Sequence, residues 1–148
     1  GEIIGLFLRE RIAYGLKPDE AARAIREQGG LVYIPHPFDP MRACLREDLL
    51  RSLLDEGLVD AVEVLNAKTS LASLNAQAAE LAASYGVAAG AGSDAHEPSA
   101  LGAAYVQMED FGDAPSFLAA LAGGSVVGHH YDAPRTWRAR IVPSTKPT

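Results

Sequence analysis

Gly86-Val-Ala-Ala-Gly-Ala-Gly-Ser-Asp-Ala-His96 reads as one short buried strand that delivers polar groups at its end. The small apolar residues from Val87 to Gly92 suit a strand covered on both faces, ending in a tight turn. Asp94 and His96 lie two apart. If extended backbone continues through them, both side chains leave from the same face. A carboxylate and an imidazole placed there can close on one divalent cation, with the hydrophobic strand as a rigid seat. A loop Asp capping the next turn beside a surface His fits the same four residues.

Two other stretches have the same form. Gly29-Gly-Leu-Val-Tyr-Ile34 is an apolar run leading into Pro35-His-Pro-Phe-Asp-Pro40. Each proline fixes its own φ and pushes the residue before it toward extended geometry, so His36 is stiffly presented at a strand end. A Pro-rich loop with a packed His is the alternative. Val59-Asp-Ala-Val-Glu-Val-Leu-Asn66 alternates like a strand but carries a carboxylate inside its apolar stretch. Strict alternation puts Asp60, Val62, Val64 and Asn66 on one face and Ala61, Glu63 and Leu65 on the other. Glu63 is costly to bury unless it is paired or hydrogen-bonded, which makes it a candidate for the same polar centre. A Glu hydrogen-bonded to a neighbouring strand in a barrel interior accounts for it as well, and Asn66 shares the ambiguity.

Strands and helices alternate outward from these stretches, which predicts an α/β fold with parallel strands. Ile3–Leu8 reads as a strand. Pro18-Asp19-Glu20 opens a helix that runs to about Gln28 and stops at Gly29-Gly30. Leu45, Leu49, Leu50, Leu53 and Leu54 have helical spacing, with Gly57 closing that helix. Ser70–Tyr85 is the next helix and Gly86 its end. After His96 the pattern predicts a strand over Ala103–Met108, a helix over Asp113–Ala122 and a strand over Ser125–Gly128. In this layering each strand's C-terminal end faces one rim, together with any site residue it carries. Residues 1–130 are expected to form one unit, and 131–148 a Pro- and Arg-containing tail.

Composition bounds the partners. The 148 residues are 48% hydrophobic with a formal net charge of −6, which suits a core-forming domain and argues against an extended nucleic-acid surface. No apolar stretch approaches the ~20 residues of a membrane span. The single Cys44 excludes an internal disulfide and suits a reducing cytoplasm.

The three stretches together resemble the polymerase and histidinol phosphatase (PHP) family of metal-dependent phosphoesterases. The matching residues are Gly29–Pro40, Val62–Asn66 and Gly90-Ala-Gly-Ser-Asp-Ala-His96, and Gly1–Leu8 is similar to the family strand that follows a middle acidic ligand. The resemblance runs from the first residue to about Phe111. It implies a distorted (β/α)7 TIM-like barrel with a two- or three-metal centre at the strands' C-terminal ends. It also implies hydrolysis of phosphate esters without a covalent enzyme intermediate. The family's Asp-x-His pair falls on Asp94 and His96, and its isolated central His on His36. Those three are the implied ligands, for Mn, Zn or Fe. Small phosphorylated compounds and nucleotides are the implied substrates.

The family's other ligands come from an early His-x-His pair, a following Asp or His, a Thr-Asp-His-like segment and a Gly-x-Glu segment. None is found here: the four histidines stand at 36, 96, 129 and 130. The chain therefore reads as the C-terminal portion of a PHP protein, whose three ligands supply about one ion's worth of protein donors. An efficient enzyme is expected of the parent protein, not of this portion alone. A barrel cut open exposes strand edges, so a homo-oligomer is expected to be open to it. A non-catalytic regulatory or assembly domain with a residual metal site, and an amidohydrolase-type metal hydrolase, are the competing readings.

Lesser candidates surround the three ligands. Arg42 can reach a substrate phosphate with its planar fork or lie solvated at a helix start. Ser93 can hydrogen-bond its neighbour's carboxylate. Asp39 can accept from an imidazole or cap the following helix, and the cap is the expectation. His129 and His130, adjacent on an extended segment, point to opposite faces and read as surface residues.

Overall fold

The computed structural model describes residues 1–130, and the tail at 131–148 lies outside the described residues. The elements run β1 (Ile4–Leu6), α1 (Pro18–Glu27), β2 (Leu31–Ile34), α2 (Glu47–Asp55), β3 (Ala61–Asn66), α3 (Ala72–Tyr85) and β4 (Ala88–Gly92). A 3₁₀ turn (Pro98–Ala100), β5 (Ala104–Gln107), α4 (Ala114–Gly123) and β6 (Ser125–Gly128) complete them. Local chemistry sets the helix ends. Pro18 occupies the first turn of α1, and Glu20 accepts the Lys17 N–H at 2.9 Å. Asp113 accepts the Ser116 N–H at 2.9 Å to start α4. Gly86, with φ +66°, closes α3 in the left-handed conformation that a glycine adopts without a Cβ penalty.

Four strands form one sheet in the order β1-β2-β3-β4. The pairs β2–β3 and β3–β4 are parallel, as the alternation predicts. Two departures correct an all-parallel reading. β1 runs antiparallel to β2, with Ile4 opposite Tyr33 and Leu6 opposite Leu31. β5 and β6 form a separate antiparallel ladder.

The two faces of the main sheet differ. On one, α1, α2 and α3 cover Val32, Ile34, Val62 and Val64 with Ile25, Leu50, Leu53 and Leu81, nearly all excluded from solvent. Burying each such side chain is worth roughly 1.5–3 kcal/mol, so this layer holds the strands in place. On the other face, Ala61 and Ala88 meet Leu121 of α4, with Tyr33, Val106 and Phe117 packed around them. A cavity of about 290 Å³ lies beside Ile4, Leu6, Tyr33, Gly90 and Phe117.

β3 carries an irregularity that matters for the site. Glu63 pairs with Gly90 and Leu65 with Ala91, so Val64 is an extra residue with no partner of its own. Such a bulge inverts the alternation beyond it. Asn66 therefore turns to the side of Glu63, which corrects the strict two-face reading of this strand.

Candidate functional site

Parallel β2, β3 and β4 end on one rim. His36 follows Ile34 by two residues, Asn66 is the last residue of β3, and Asp94 follows Gly92 by two. Because β1 is antiparallel, the segment leading into it reaches this rim as well, and it carries Glu2 two residues before Ile4.

Glu63 is the hub. It is 7% exposed, and its Oε2 accepts the His36 backbone N–H at 2.8 Å and Asn66 Nδ2 at 3.0 Å. Burial raises its pKa above the ordinary value, against which the Asn66 and His36 hydrogen bonds act, while nearby Asp94 raises it further. Asn66 Nδ2 also lies 3.5 Å from Asp94 Oδ2, at the outer limit of a hydrogen bond. Two bonds with Asn75 clamp the Asn66 backbone: Asn66 N–H donates to Oδ1 at 3.0 Å, and Nδ2 donates to the Asn66 carbonyl at 3.1 Å. Tyr33, beneath this group, is pushed well above the usual phenol range by burial and by Glu63, so it stays protonated.

The candidate ligands sit in unusual backbone. His36 has φ +28° and Asp94 has φ +46°, both outside the range that residues with a Cβ ordinarily occupy. Strain of that kind persists only where surrounding structure fixes it, and it gathers at functional sites. His36 Nε2 lies 3.0 Å from Glu2 Oε2, while its Nδ1 is buried with no hydrogen-bond partner. Asp94 Oδ1 faces His96 Nε2 at 3.1 Å, and Oδ2 faces Arg42 Nη2 at 2.6 Å. The His96 side chain is largely exposed.

Arg42 reaches toward a second acid, with Nε 4.0 Å from Asp39 Oδ2. Asp39 is 1% exposed and does not act as either role expected of it. It accepts from Met41 N–H (3.0 Å), Ser70 N–H (2.8 Å), Ser70 Oγ (2.6 Å) and Thr69 Oγ1 (3.3 Å), whereas α2 starts at Glu47 with Arg46 at its N-cap position. Burial alone would raise its pKa. The bonds from Ser70, Met41 and Thr69 outweigh that and hold it below the usual carboxylate range.

The structure thus joins His36, Asp94, His96, Glu63, Asn66 and Arg42 in one chain of contacts. Ser93 takes no part in those contacts. Glu2 is an addition that the sequence reading missed. His130 Nε2 meets the Thr69 carbonyl at 2.7 Å, which ties it to the loop that holds Asp39. Among the described residues no three His, Cys, Asp or Glu side chains already stand in a metal-holding cluster. The donors fit a divalent cation in kind, since carboxylates and imidazoles suit Mn, Zn and Fe alike. A carboxylate on Nε2 of a neutral imidazole also leaves the lone pair on Nδ1, the buried atom that has no partner here.

Comparison with known proteins relates this chain to others by sequence and by fold. A family model described as PHP-associated matches residues 72–126. A two-domain protein from Bacteroides vulgatus, described as containing a predicted PHP-like metal-dependent phosphoesterase, superposes with a TM-score of 0.58 at 17% identity, over 86% of this chain and 40% of that one. The chain resembles the C-terminal portion of PHP-type proteins. Among sequence relatives, the uncharacterized protein MJ0417 of Methanocaldococcus jannaschii is 41% identical over 115 residues, which is 74% of this chain and 47% of that protein. MJ1587 of the same organism is 49% identical over 67 residues, 45% of this chain and 36% of that protein. The chain spans about half the length or less of these relatives. Among the described residues no helix is long and apolar enough to cross a membrane.

Proposed function

We propose that this chain contributes part of a metal centre to a PHP-type hydrolase of phosphate esters, with small phosphorylated compounds or nucleotides as substrates. His36, Asp94 and His96 hold a divalent cation, Mn, Zn or Fe, and Glu2 and Glu63 stand close enough to support it. The observation that carries this reading is the left-handed backbone of two non-glycine residues, His36 just past β2 and Asp94 just past β4, linked across the intervening β3 through Glu63 and Asn66. When bound, such a cation supplies Lewis acidity and neutralises charge on a phosphoryl group.

The chain's own residues do the positioning. Glu63 fixes the His36 backbone by accepting its N–H. Asn66 spaces two carboxylates that would otherwise repel, donating to Glu63 and lying beside Asp94. Arg42 offers a guanidinium fork to an oxyanion at the rim. A distorted (β/α)7 barrel would place all of these at its C-terminal rim, with residues 1–130 as its C-terminal portion. Free Cys44 suits a cytoplasmic setting. Association of this chain with itself belongs to the same proposal.

The experiment is metal analysis after incubation with Mn and gel filtration, on the chain and on Asp94→Ala. About one ion per chain is expected, lost in the variant while its circular dichroism is unchanged. Unchanged metal content removes Asp94 from the ligands. Hydrolysis of a phosphate monoester by the chain should be slow even with Mn, because only part of a centre is present. Turnover of a cyclic amide in preference to the monoester would move the assignment to the amidohydrolase type.

A further inference from the structure

Both oxygens of Asp94 that a cation would need are taken by the chain's own groups. Oδ2 is held by Arg42 Nη2 at 2.6 Å, and Oδ1 faces His96 Nε2 at 3.1 Å. The Arg42 and Asp94 side chains are each 23% exposed. The pair is therefore sheltered enough to be stronger than a surface ion pair, yet open enough to exchange. Arg42 also has a second anionic neighbour, Asp39, 4.0 Å from its Nε. That neighbour cannot move: four donors from residues 41, 69 and 70 hold it in the interior. Arg42 thus spans a fixed acid behind it and a rim acid in front.

From this geometry we infer that Arg42 is a latch coupling cation and phosphate binding: it occupies Asp94 until a divalent cation takes the carboxylate, then, retained by Asp39, turns its fork to the phosphate oxyanion beside that cation. The inference rests on the metal-centre reading above. A dication and a guanidinium on one carboxylate repel each other, and an anion between them removes the repulsion. Cation and phosphate therefore strengthen each other's binding by the same factor. A guanidinium that merely held Asp94 in its left-handed conformation would have the opposite signature, because its removal would weaken cation binding.

The free-Mn paramagnetic resonance signal measures uptake by the full chain, Arg42→Met, Arg42→Lys and Asp94→Ala, each checked for folding by circular dichroism, with and without inorganic phosphate. Without phosphate, Arg42→Met is expected to bind Mn about tenfold more tightly than the unmodified chain, within the usual range of coupling between linked sites. Phosphate should tighten Mn binding to the unmodified chain and leave Arg42→Met unaffected. Arg42→Lys, which keeps the charge but not the fork, should still compete with Mn and lose most of the phosphate gain. It carries the test if Arg42→Met does not fold. Mn uptake that Asp94→Ala abolishes, but that is equal or weaker in Arg42→Met, defeats the latch alone. A phosphate effect that survives undiminished in Arg42→Met or Arg42→Lys defeats it too. No uptake by any folded form defeats the metal-centre reading, and the latch with it.

Discussion

The Glu2 carboxylate and the His36 ring meet at 3.0 Å, Oε2 to Nε2, one two residues before β1 and the other two residues past β2. Antiparallel pairing of these two strands brings those ends together. A carboxylate acceptor at Nε2 selects the Nε2–H tautomer of the neutral ring and leaves Nδ1 with an open lone pair. A long-range ¹H–¹⁵N spectrum of the neutral form should show His36 wholly as the Nε2–H tautomer. In Glu2→Ala the ring should relax to a mixture. A dominant Nδ1–H signal in the unmodified chain would contradict the contact.

How much of this was legible depends on strand direction and register. His36, Asp94 and His96 stand out in the sequence because each follows an apolar run that can only be a strand, and parallel strands bring such ends to one rim. Glu2 was hidden by the same logic. In an all-parallel sheet the residue before the first strand lies at the opposite rim, and nothing in Gly1–Leu8 announces that β1 runs backwards. Asn66 was placed on the wrong side of its strand because the bulge at Val64 leaves no mark in a run of alternating apolar residues. Asp39 looked like a helix cap because three of its four partners' donors lie on Thr69 and Ser70, about thirty positions away, which no local pattern can foresee.

Gly90 is a spacer for Tyr33. A Cβ at position 90 would collide with the ring and hydroxyl of Tyr33. Tyr33 is itself packed against the second core cluster. Gly90→Ala should therefore cost about 1–3 kcal/mol in urea denaturation. Tyr33→Leu clears the space, so the double variant should be more stable than the two single losses predict when added. Strict additivity would show that the clash is relieved elsewhere.

Asn66 keeps two acids compatible. Its Nδ2 donates to Glu63 and lies beside Asp94, and its Oδ1 accepts the Lys68 N–H at 2.8 Å. Asn66→Asp preserves the shape and the Lys68 acceptor but replaces the donor with a third carboxylate. The loss should be about 2 kcal/mol or more at neutral pH, because buried Glu63 loses a donor and gains a like charge. Asn66→Ala should be milder per charge but should still lower the denaturation midpoint. Equal stability of Asn66→Asp and the unmodified chain would mean that the bridging geometry is not maintained in solution.

Asp39 supplies the acid arm of stability. Its folded pKa lies below the unfolded value of about 3.9, since hydrogen bonds to the ionised form outweigh burial. A depressed carboxylate stabilises the fold at pH values above the unfolded pKa, and that contribution drains away as pH falls through the folded pKa. Asp39→Asn retains one acceptor but turns an amide toward Ser70 and Thr69, which are themselves donors. The variant should be about 2 kcal/mol less stable near pH 7. Urea midpoints taken from pH 7 downward should show the gap between the two proteins held nearly constant to about pH 5 and closing below about pH 4. A gap that stays the same size at pH 3 would mean that Asp39 acts through shape alone, and its charge would no longer account for the anchoring of Arg42 and the loop at 69–70.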